Sequence, residues 1–192
     1  DPTLIAYYPF SGNAEDSTAN SNHGIVNGAL LTTDRFGNTN SAYAFDGVDD
    51  YIELTNGIDF DNYSEQTLAA WVQIDTFEVY RHSIIGYSAS GTYPFGQYFL
   101  FLNDDYSVEY DVRYSANNSQ KLITGPNVIA NDWVHVATTK DVTGMMRAFV
   151  NGVQVDSFQA TPGFNTPASN FKSFIGAYKS SLTSAHLQGK ID

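Results

Sequence analysis

Three stretches of this sequence carry side chains that could do chemistry. The first, Asp16-Ser17-Thr18-Ala19-Asn20-Ser21-Asn22-His23-Gly24, is rich in oxygen and has no sulfur. Calcium takes about six to eight oxygens from carboxylates, Asn side chains and backbone carbonyls of a flexible loop. Asp16 is the ligand candidate, with Asn20 and Asn22 offering side-chain or carbonyl oxygen. The same carboxylate could instead cap backbone N–H groups of a turn, and both roles are open at this level. The second stretch, Asp46-Gly47-Val48-Asp49-Asp50, places three acids within five residues. Adjacent carboxylates repel one another and recruit a cation. A tight turn, with Asp46 bonding backbone N–H groups and Gly47 at positive φ, explains the same residues and is favoured.

The third stretch runs from Arg81 to Arg113. Sugars are held by aromatic faces against pyranose C–H surfaces and by Asn, Asp and Arg bonding hydroxyl groups. The segment Tyr87-Ser88-Ala89-Ser90-Gly91-Thr92-Tyr93-Pro94-Phe95-Gly96-Gln97-Tyr98 combines small adaptable residues with four aromatics. Arg81, Tyr93, Tyr98, Asp111 and Arg113 are the expected ligand contacts, with Tyr87 and Phe95 behind them. Alternating Tyr and Phe are otherwise core residues, and a Tyr-rich surface also suits a protein partner. Catalysis finds little support. Retaining glycoside hydrolysis needs two carboxylates about 5 Å apart. Glu109 and Asp111 would share one strand face with Arg113 beside them, which reads as an ion-paired strand. The four histidines show no His-Glu-x-x-His spacing, and no Gly-x-Ser-x-Gly accompanies them. No enzyme is expected.

These residues need a scaffold, and its period is two. Tyr106, Val108, Tyr110, Val112 and Tyr114 alternate with Ser107, Glu109, Asp111 and Arg113. Runs of similar character occupy 4–10, 51–54, 67–74, 82–87, 97–103, 133–138, 145–150, 154–158 and 171–178, separated by Asn/Gly/Pro turns. Asn151-Gly152 is the strongest hairpin signal. Residues 180–187 offer at most one helical turn. About a dozen strands without helices predict one all-β domain over 1–192, a sandwich or barrel. The 28 aromatics supply a large core, while a net charge of −12 argues against nucleic acid and anionic membranes. No apolar run approaches the roughly 20 residues of a membrane span. Zero cysteines exclude disulfides, a thiol nucleophile and cysteine-ligated zinc. The abrupt start at Asp1-Pro2-Thr3 reads as a mature product or a module of a larger protein.

Four segments carry a resemblance. They are Tyr7-Tyr8-Pro9-Phe10-Ser11-Gly12-Asn13-Ala14-Glu15-Asp16-Ser17 with Asn22-His23-Gly24; Ala44-Phe45-Asp46-Gly47-Val48-Asp49-Asp50-Tyr51-Ile52-Glu53-Leu54; Leu68-Ala69-Ala70-Trp71-Val72 with Trp133-Val134-His135-Val136-Ala137 and Ala148-Phe149-Val150-Asn151-Gly152; and Gly189-Lys190-Ile191-Asp192. In order and spacing they resemble the laminin-G-like branch of the concanavalin A-like lectin/glucanase superfamily. The resemblance implies a jelly-roll sandwich of two curved antiparallel sheets and a glycan-binding, calcium-stabilised (Ca2+) module of a secreted or cell-surface protein. Its partners would be a polysaccharide or glycan and other domains of the same polypeptide, with no nucleic acid and no membrane insertion. It places Asp192 beside the Asp16 loop as a further metal ligand, and Trp71 and Trp133 at framework positions of the core. The family usually continues past its final Ile-Asp with one more strand. Glucanases of this fold carry Glu-x-Asp-x-x-Glu on one strand; here Glu109-Tyr110-Asp111-Val112-Arg113-Tyr114 lacks the second Glu, so a glycoside hydrolase is the less favoured function. The alternative to glycan binding is a protein-binding adhesion or assembly domain.

Overall fold

A computed structural model describes residues 3–58, 65–77, 80–89, 97–115, 118–161, 171–179 and 184–192. Sixteen strands and no helix occur among them. One sheet runs, in spatial order, β1 (Gly24–Asn27), β4 (Tyr51–Leu54), β13 (Phe171–Ile175), β6 (Arg81–Ala89), β7 (Gln97–Asn103), β8 (Val108–Ser115) and β9 (Asn118–Ile123). The second runs β12 (Val153–Gln159), β11 (Met145–Val150), β10 (Trp133–Lys140), β5 (Gln66–Ile74), β16 (Gln188–Ile191), β3 (Ala42–Asp46) and β2 (Leu30–Thr32). A short ladder joins β14 (Ala177–Lys179) to β15 (Ser184–His186). Both large sheets are antiparallel, and distant strands meet in them, as the jelly-roll expectation requires.

Alternation decides which side chains enter the sandwich. β10 and β11 bury every second residue, so Val134, Val136, Met146 and Ala148 face Val72 and Ile74 of β5 inside one core. The first sheet answers with Ile52, Leu54, Ile84, Leu100, Leu102, Val108, Tyr110 and Val112. Each fully buried large apolar side chain contributes roughly 1.5–3 kcal/mol. The Asn151-Gly152 hairpin forms as expected: Val150 pairs with Val153, and both turn residues have positive φ, 49° and 79°. His82 of β6 ties the sheets together, its Nδ1 accepting the Gln188 N–H of β16 at 3.2 Å.

Several expectations are corrected. β8 begins at Val108, because Tyr106 turns away into the left-handed region at φ 67°. Residues 4–10 form no strand. They line a cleft of about 950 Å³ against Glu65 and residues 66–71 of β5, with Ile84, Leu100 and Ile175 beneath, and have no ladder neighbour among the described residues. Residues 184–186 are strand, not helical turn. Tyr98, expected at a ligand, is 1% exposed and belongs to the core. Trp71 and Trp133, expected in the core, are only partly buried and sit on the outer face of the second sheet. They alternate with the inward residues Val72 and Val134, and in this sheet that face is not packed against the other.

Candidate functional site

β7 is buried on both faces, and this creates the surface of interest. Tyr98, Leu100 and Leu102 enter the core, while Phe99 and Phe101 form a second apolar cluster on the outer face. Tyr178 of β14 covers them at ring-centroid distances of 4.7 and 6.1 Å, with Ala185 of β15 packed alongside. On β8, parity puts Glu109 and Asp111 on the same outer face, paired in register with Phe101 and Phe99. They are 1% and 0% exposed. Carboxylates so deep must be compensated.

Arg81 of β6 and Lys121 of β9 reach in from the two flanking strands. Arg81 Nη2 donates to both Glu109 oxygens, at 2.9 and 2.8 Å. Lys121 Nζ lies 2.8 Å from Glu109 and 3.4 Å from Asp111. The Asn103 amide donates to Glu109 at 3.2 Å, and its oxygen accepts from Arg81 Nε at 3.3 Å. The Arg81 guanidinium is also packed between rings, 4.9 Å from the Tyr80 centroid and 5.1 Å from Phe101. The carboxylates are the foundation, and the cationic tips of Arg81 and Lys121, 19% and 28% exposed, reach solvent. Glu109 and Asp111 do share a face, as alternation predicts, but both are spent on cations. Asp111, expected to touch a ligand itself, lies beneath Lys121.

Of the other expected contacts, Tyr93 and Phe95 lie outside the described residues, as do the side chains of Tyr87 and Arg113. The Tyr87 and Arg113 backbones belong to β6 and β8, opposite Ser173 and Gln97. Three aromatics that sequence reasoning passed over as ligand contacts lie near the start of β6: Tyr80 carries Arg81 on its ring, while Phe77 stands against inward-pointing His82 and bears Tyr106. Tyr80 is 68% exposed and Tyr106 44%. Phe77 lies 4.5 Å from the Tyr106 ring. The Asp104 N–H donates to the Tyr80 carbonyl at 3.3 Å, which joins the segment before β6 to the β7–β8 turn.

The Asp16 loop resolves in favour of the cap. Asp16 Oδ1 accepts the N–H groups of Tyr7 and Thr18, and Oδ2 accepts Thr18 Oγ1 and the Asn22 N–H, all within 2.8–3.0 Å. Four donors fill the lone-pair sites of one carboxylate. Burial pushes its pKa up, but these bonds outweigh it and hold the group below the usual carboxylate range. A cation placed there would face the same N–H dipoles. The Asn20 and Asn22 amide nitrogens donate to the carbonyls of Leu4 and Ile5. Asp192 is ion-paired with Arg35 on the second sheet. The four expected calcium ligands therefore do not fit a shared ion. Asp16→Asn is expected to lower unfolding free energy by about 3 kcal/mol through lost charge-assisted bonds. Urea denaturation measures this, and a loss below about 1 kcal/mol would remove the cap from the argument.

Among the described residues, Asp46, Asp49 and Asp50 form a set that could hold a metal ion, with ligand atoms within 4.8 Å of one another. Asp46 Oδ1 also accepts the Val48 N–H at 2.8 Å, the expected turn, and Asp50 Oδ2 accepts the Asp46 N–H at 3.0 Å. Burial first, then the charges of Asp46 and Asp49, raise the Asp50 pKa. On the outer face of the second sheet, Arg35 lies 4.3 Å over Phe36 and 4.8 Å over Trp71, whose ring is 5.2 Å from His135.

The comparisons agree with this architecture. Among curated proteins, none matches the chain. The solved structures include domain 4 of AbnA, a GH43 extracellular arabinanase from Geobacillus stearothermophilus, in complex with arabinotriose. It is 18% identical with a TM-score of 0.69, over 98% of this chain and 89% of that one. The Ruminococcus gnavus IT-sialidase CBM40 bound to α2,3 sialyllactose is 11% identical with a TM-score of 0.56, over 78% and 88%. The binding domain of botulinum neurotoxin serotype D is 15% identical with a TM-score of 0.64, over 98% of this chain but only 47% of its own length. At such identities the likeness is one of fold. Residues 46–192 match the family model described as the concanavalin A-like lectin/glucanases superfamily. The chain belongs to that superfamily, in its laminin-G-like branch.

Proposed function

We propose that the chain is a non-catalytic glycan-binding module, and that it recognises sugar on the outer face of the first sheet around Arg81. The observation that carries this is the state of Arg81. Its guanidinium is clamped onto buried Glu109 and stacked on Tyr80, while Nη1 has no partner among the described residues. A donor held this way meets a hydroxyl oxygen with little further ordering, and neighbouring rings offer faces for pyranose C–H groups. Glu109 accepts four hydrogen bonds and has no vacant lone pair for proton transfer, which supports binding over hydrolysis. Two structural neighbours are named with arabinotriose and sialyllactose, which supports the ligand class.

Within this proposal the module serves a secreted or cell-surface protein alongside other domains. Calcium is the cation suited to Asp46, Asp49 and Asp50, because all three offer hard oxygen ligands. It would stabilise the β3–β4 turn and take no part in sugar contact. The test is a glycan array containing arabinotriose and sialyllactose, run in calcium and in chelator, with melting curves on the same samples. Retention of an oligosaccharide by the wild type, weakened at least severalfold by Arg81→Lys, is expected, since lysine keeps the charge and loses the fork. Absence of binding in both conditions would refute the function.

A second reading, a protein-binding adhesion face, is favoured by one observation. The Phe36–Arg35–Trp71 stack is an ordered group of the residue types that dominate protein interfaces, and Phe36 is 73% exposed.

A further inference from the structure

The polar cluster on the outer face of the first sheet has donors left over and its acceptors are spent. Glu109 already accepts four hydrogen bonds, two from Arg81 and one each from Asn103 and Lys121. The Asn103 oxygen accepts from Arg81 Nε, and its amide donates to Ser107 and Glu109. Asp111 is fully buried beneath Lys121. Donors are another matter. A guanidinium carries five N–H groups. Arg81 uses Nε and Nη2 within the cluster, and Nη1 has no partner among the described residues. The Lys121 ammonium has three donors and two carboxylates to serve, 2.8 Å from Glu109 and 3.4 Å from Asp111.

The two cationic groups also converge. Arg81 Nη2 and Lys121 Nζ donate to the same oxygen of Glu109, Oε1, so they stand no farther apart than those two bonds laid end to end. Arg81 comes from β6 and Lys121 from β9, and the pair spans the two strands between. Exposed Ile123, in register with Glu109, offers an apolar surface two residues from Lys121, and the open Tyr80 ring lies against Arg81. A sugar hydroxyl both donates and accepts, and in this cluster its proton meets only acceptors that are taken or buried. A carboxylate only accepts, has two oxygens to offer, and forms charge-assisted bonds roughly twice as strong as neutral ones.

We propose that the Arg81 site takes its glycan through a carboxylate-bearing sugar, a uronate or a sialate, with one carboxylate oxygen accepting from Arg81 Nη1 and the other from Lys121 Nζ. The inference rests on the glycan-binding proposal and adds the class of sugar and a second contact residue. Glu109 and Asp111 match the two cations in number, so the anion is held by donors at contact and not by an excess of positive charge. The net charge of −12 repels polyanions over the roughly 8 Å that charges reach at physiological salt. Isolated carboxylates are therefore favoured over densely sulfated chains.

Calorimetric titration with a galacturonate oligosaccharide, with sialyllactose and with the methyl ester of each provides the test. Esterification removes the charge and keeps the ring. It is expected to weaken binding about tenfold, the scale of one charge-assisted bond. Lys121→Gln keeps a donor toward Glu109 and is expected to weaken the acid by a similar factor while leaving the ester within twofold. Lys172→Gln, which removes a cation paired with Glu53 elsewhere on the same sheet, is expected to change neither. The ester comparison uses the unaltered protein, so it decides the matter even where Lys121→Gln fails to fold. Acid and ester bound within twofold of each other, or neutral sugars retained and neither acid, overturn the carboxylate and leave the glycan function standing. Heparin bound more tightly than either acid overturns it too, because a bare cationic surface then suffices. So does a Lys121→Gln variant, shown folded by its melting curve, that binds the acid like the wild type. A wild type that retains no sugar on the array removes the function and this inference together.

Discussion

Arg81→Met is expected to cost about 3–4 kcal/mol of unfolding free energy, the largest single-site loss predicted for this domain. Methionine keeps the length and apolar stem of the side chain but removes the guanidinium. Glu109, 1% exposed, would then keep Lys121 and Asn103 and lose the two charge-assisted bonds from Arg81. Removing one partner of a buried ion pair is costly because the remaining charge stays desolvated. Losing the packing of Arg81 on Tyr80 and Phe101 adds a smaller amount. Urea denaturation of Arg81→Met, Glu109→Gln and the double variant measures this. The double variant should be more stable than the sum of the singles by about 1–3 kcal/mol, since it leaves no uncompensated carboxylate. Strict additivity, or a single-variant loss below about 1 kcal/mol, would show that the network is not coupled as drawn.

Stability is expected to fall steeply between pH 6.5 and pH 4 because of His82. Burial lowers its pKa to about 4, against an ordinary value of 6.5, with the Thr76 backbone and Asp75 opposing more weakly. The folded state therefore binds this proton less readily than the unfolded chain. The contribution of neutral His82 is fully present above pH 6.5 and is lost as pH falls toward 4, amounting to about 3 kcal/mol. The structural reason is its position: the ring is 0% exposed, and its Nδ1 accepts the Gln188 N–H between the sheets. His135, lowered by burial and then by Arg35, acts in the same direction. Asp50, whose pKa is raised, acts in the opposite direction at the acid end. Chemical denaturation at several pH values, with His82→Gln as reference, isolates the effect. The variant should lose most of the slope in this window, and an unchanged slope would assign it to other groups.

How much of the site was legible depended on how far each contact reaches along the chain. Glu109 and Asp111 share a face because strand parity is local, so their pairing with one another needed nothing more than alternation. Their cations did not come from that alternation. Arg81 is 28 residues away and Lys121 is 12 from Glu109, and only the β6–β7–β8–β9 order sets them over the same carboxylates. Tyr98, expected at a ligand, and Tyr106, expected in the β8 run, both depart from expectation for a similar reason. Both lie in aromatic runs, but Tyr98 points inward between two sheets, whereas the Asn103–Ser107 turn throws Tyr106 outward. The Asp16 loop offered two chemistries in sequence. The Tyr7 N–H, brought in from outside the loop, and the inward-turned Thr18 and Asn22 N–H groups occupy the carboxylate.

The sequence by itself determined the all-β class, the hairpin at Asn151-Gly152 and, through its ordered motifs, the family with its two-sheet sandwich, since period-two alternation, turn chemistry and motif order are properties of neighbouring residues. It also determined that any metal must be held by oxygen or imidazole, because no cysteine exists. Only the tertiary structure decided that Trp71 and Trp133 face outward, that Asp16 caps a turn, that Glu109 is buried under two cations and that His82 bridges the sheets. Each of these depends on which strand lies beside which and on what covers the outer face of a sheet. Those are long-range choices, made by burying apolar surface across the whole sandwich rather than by any local preference.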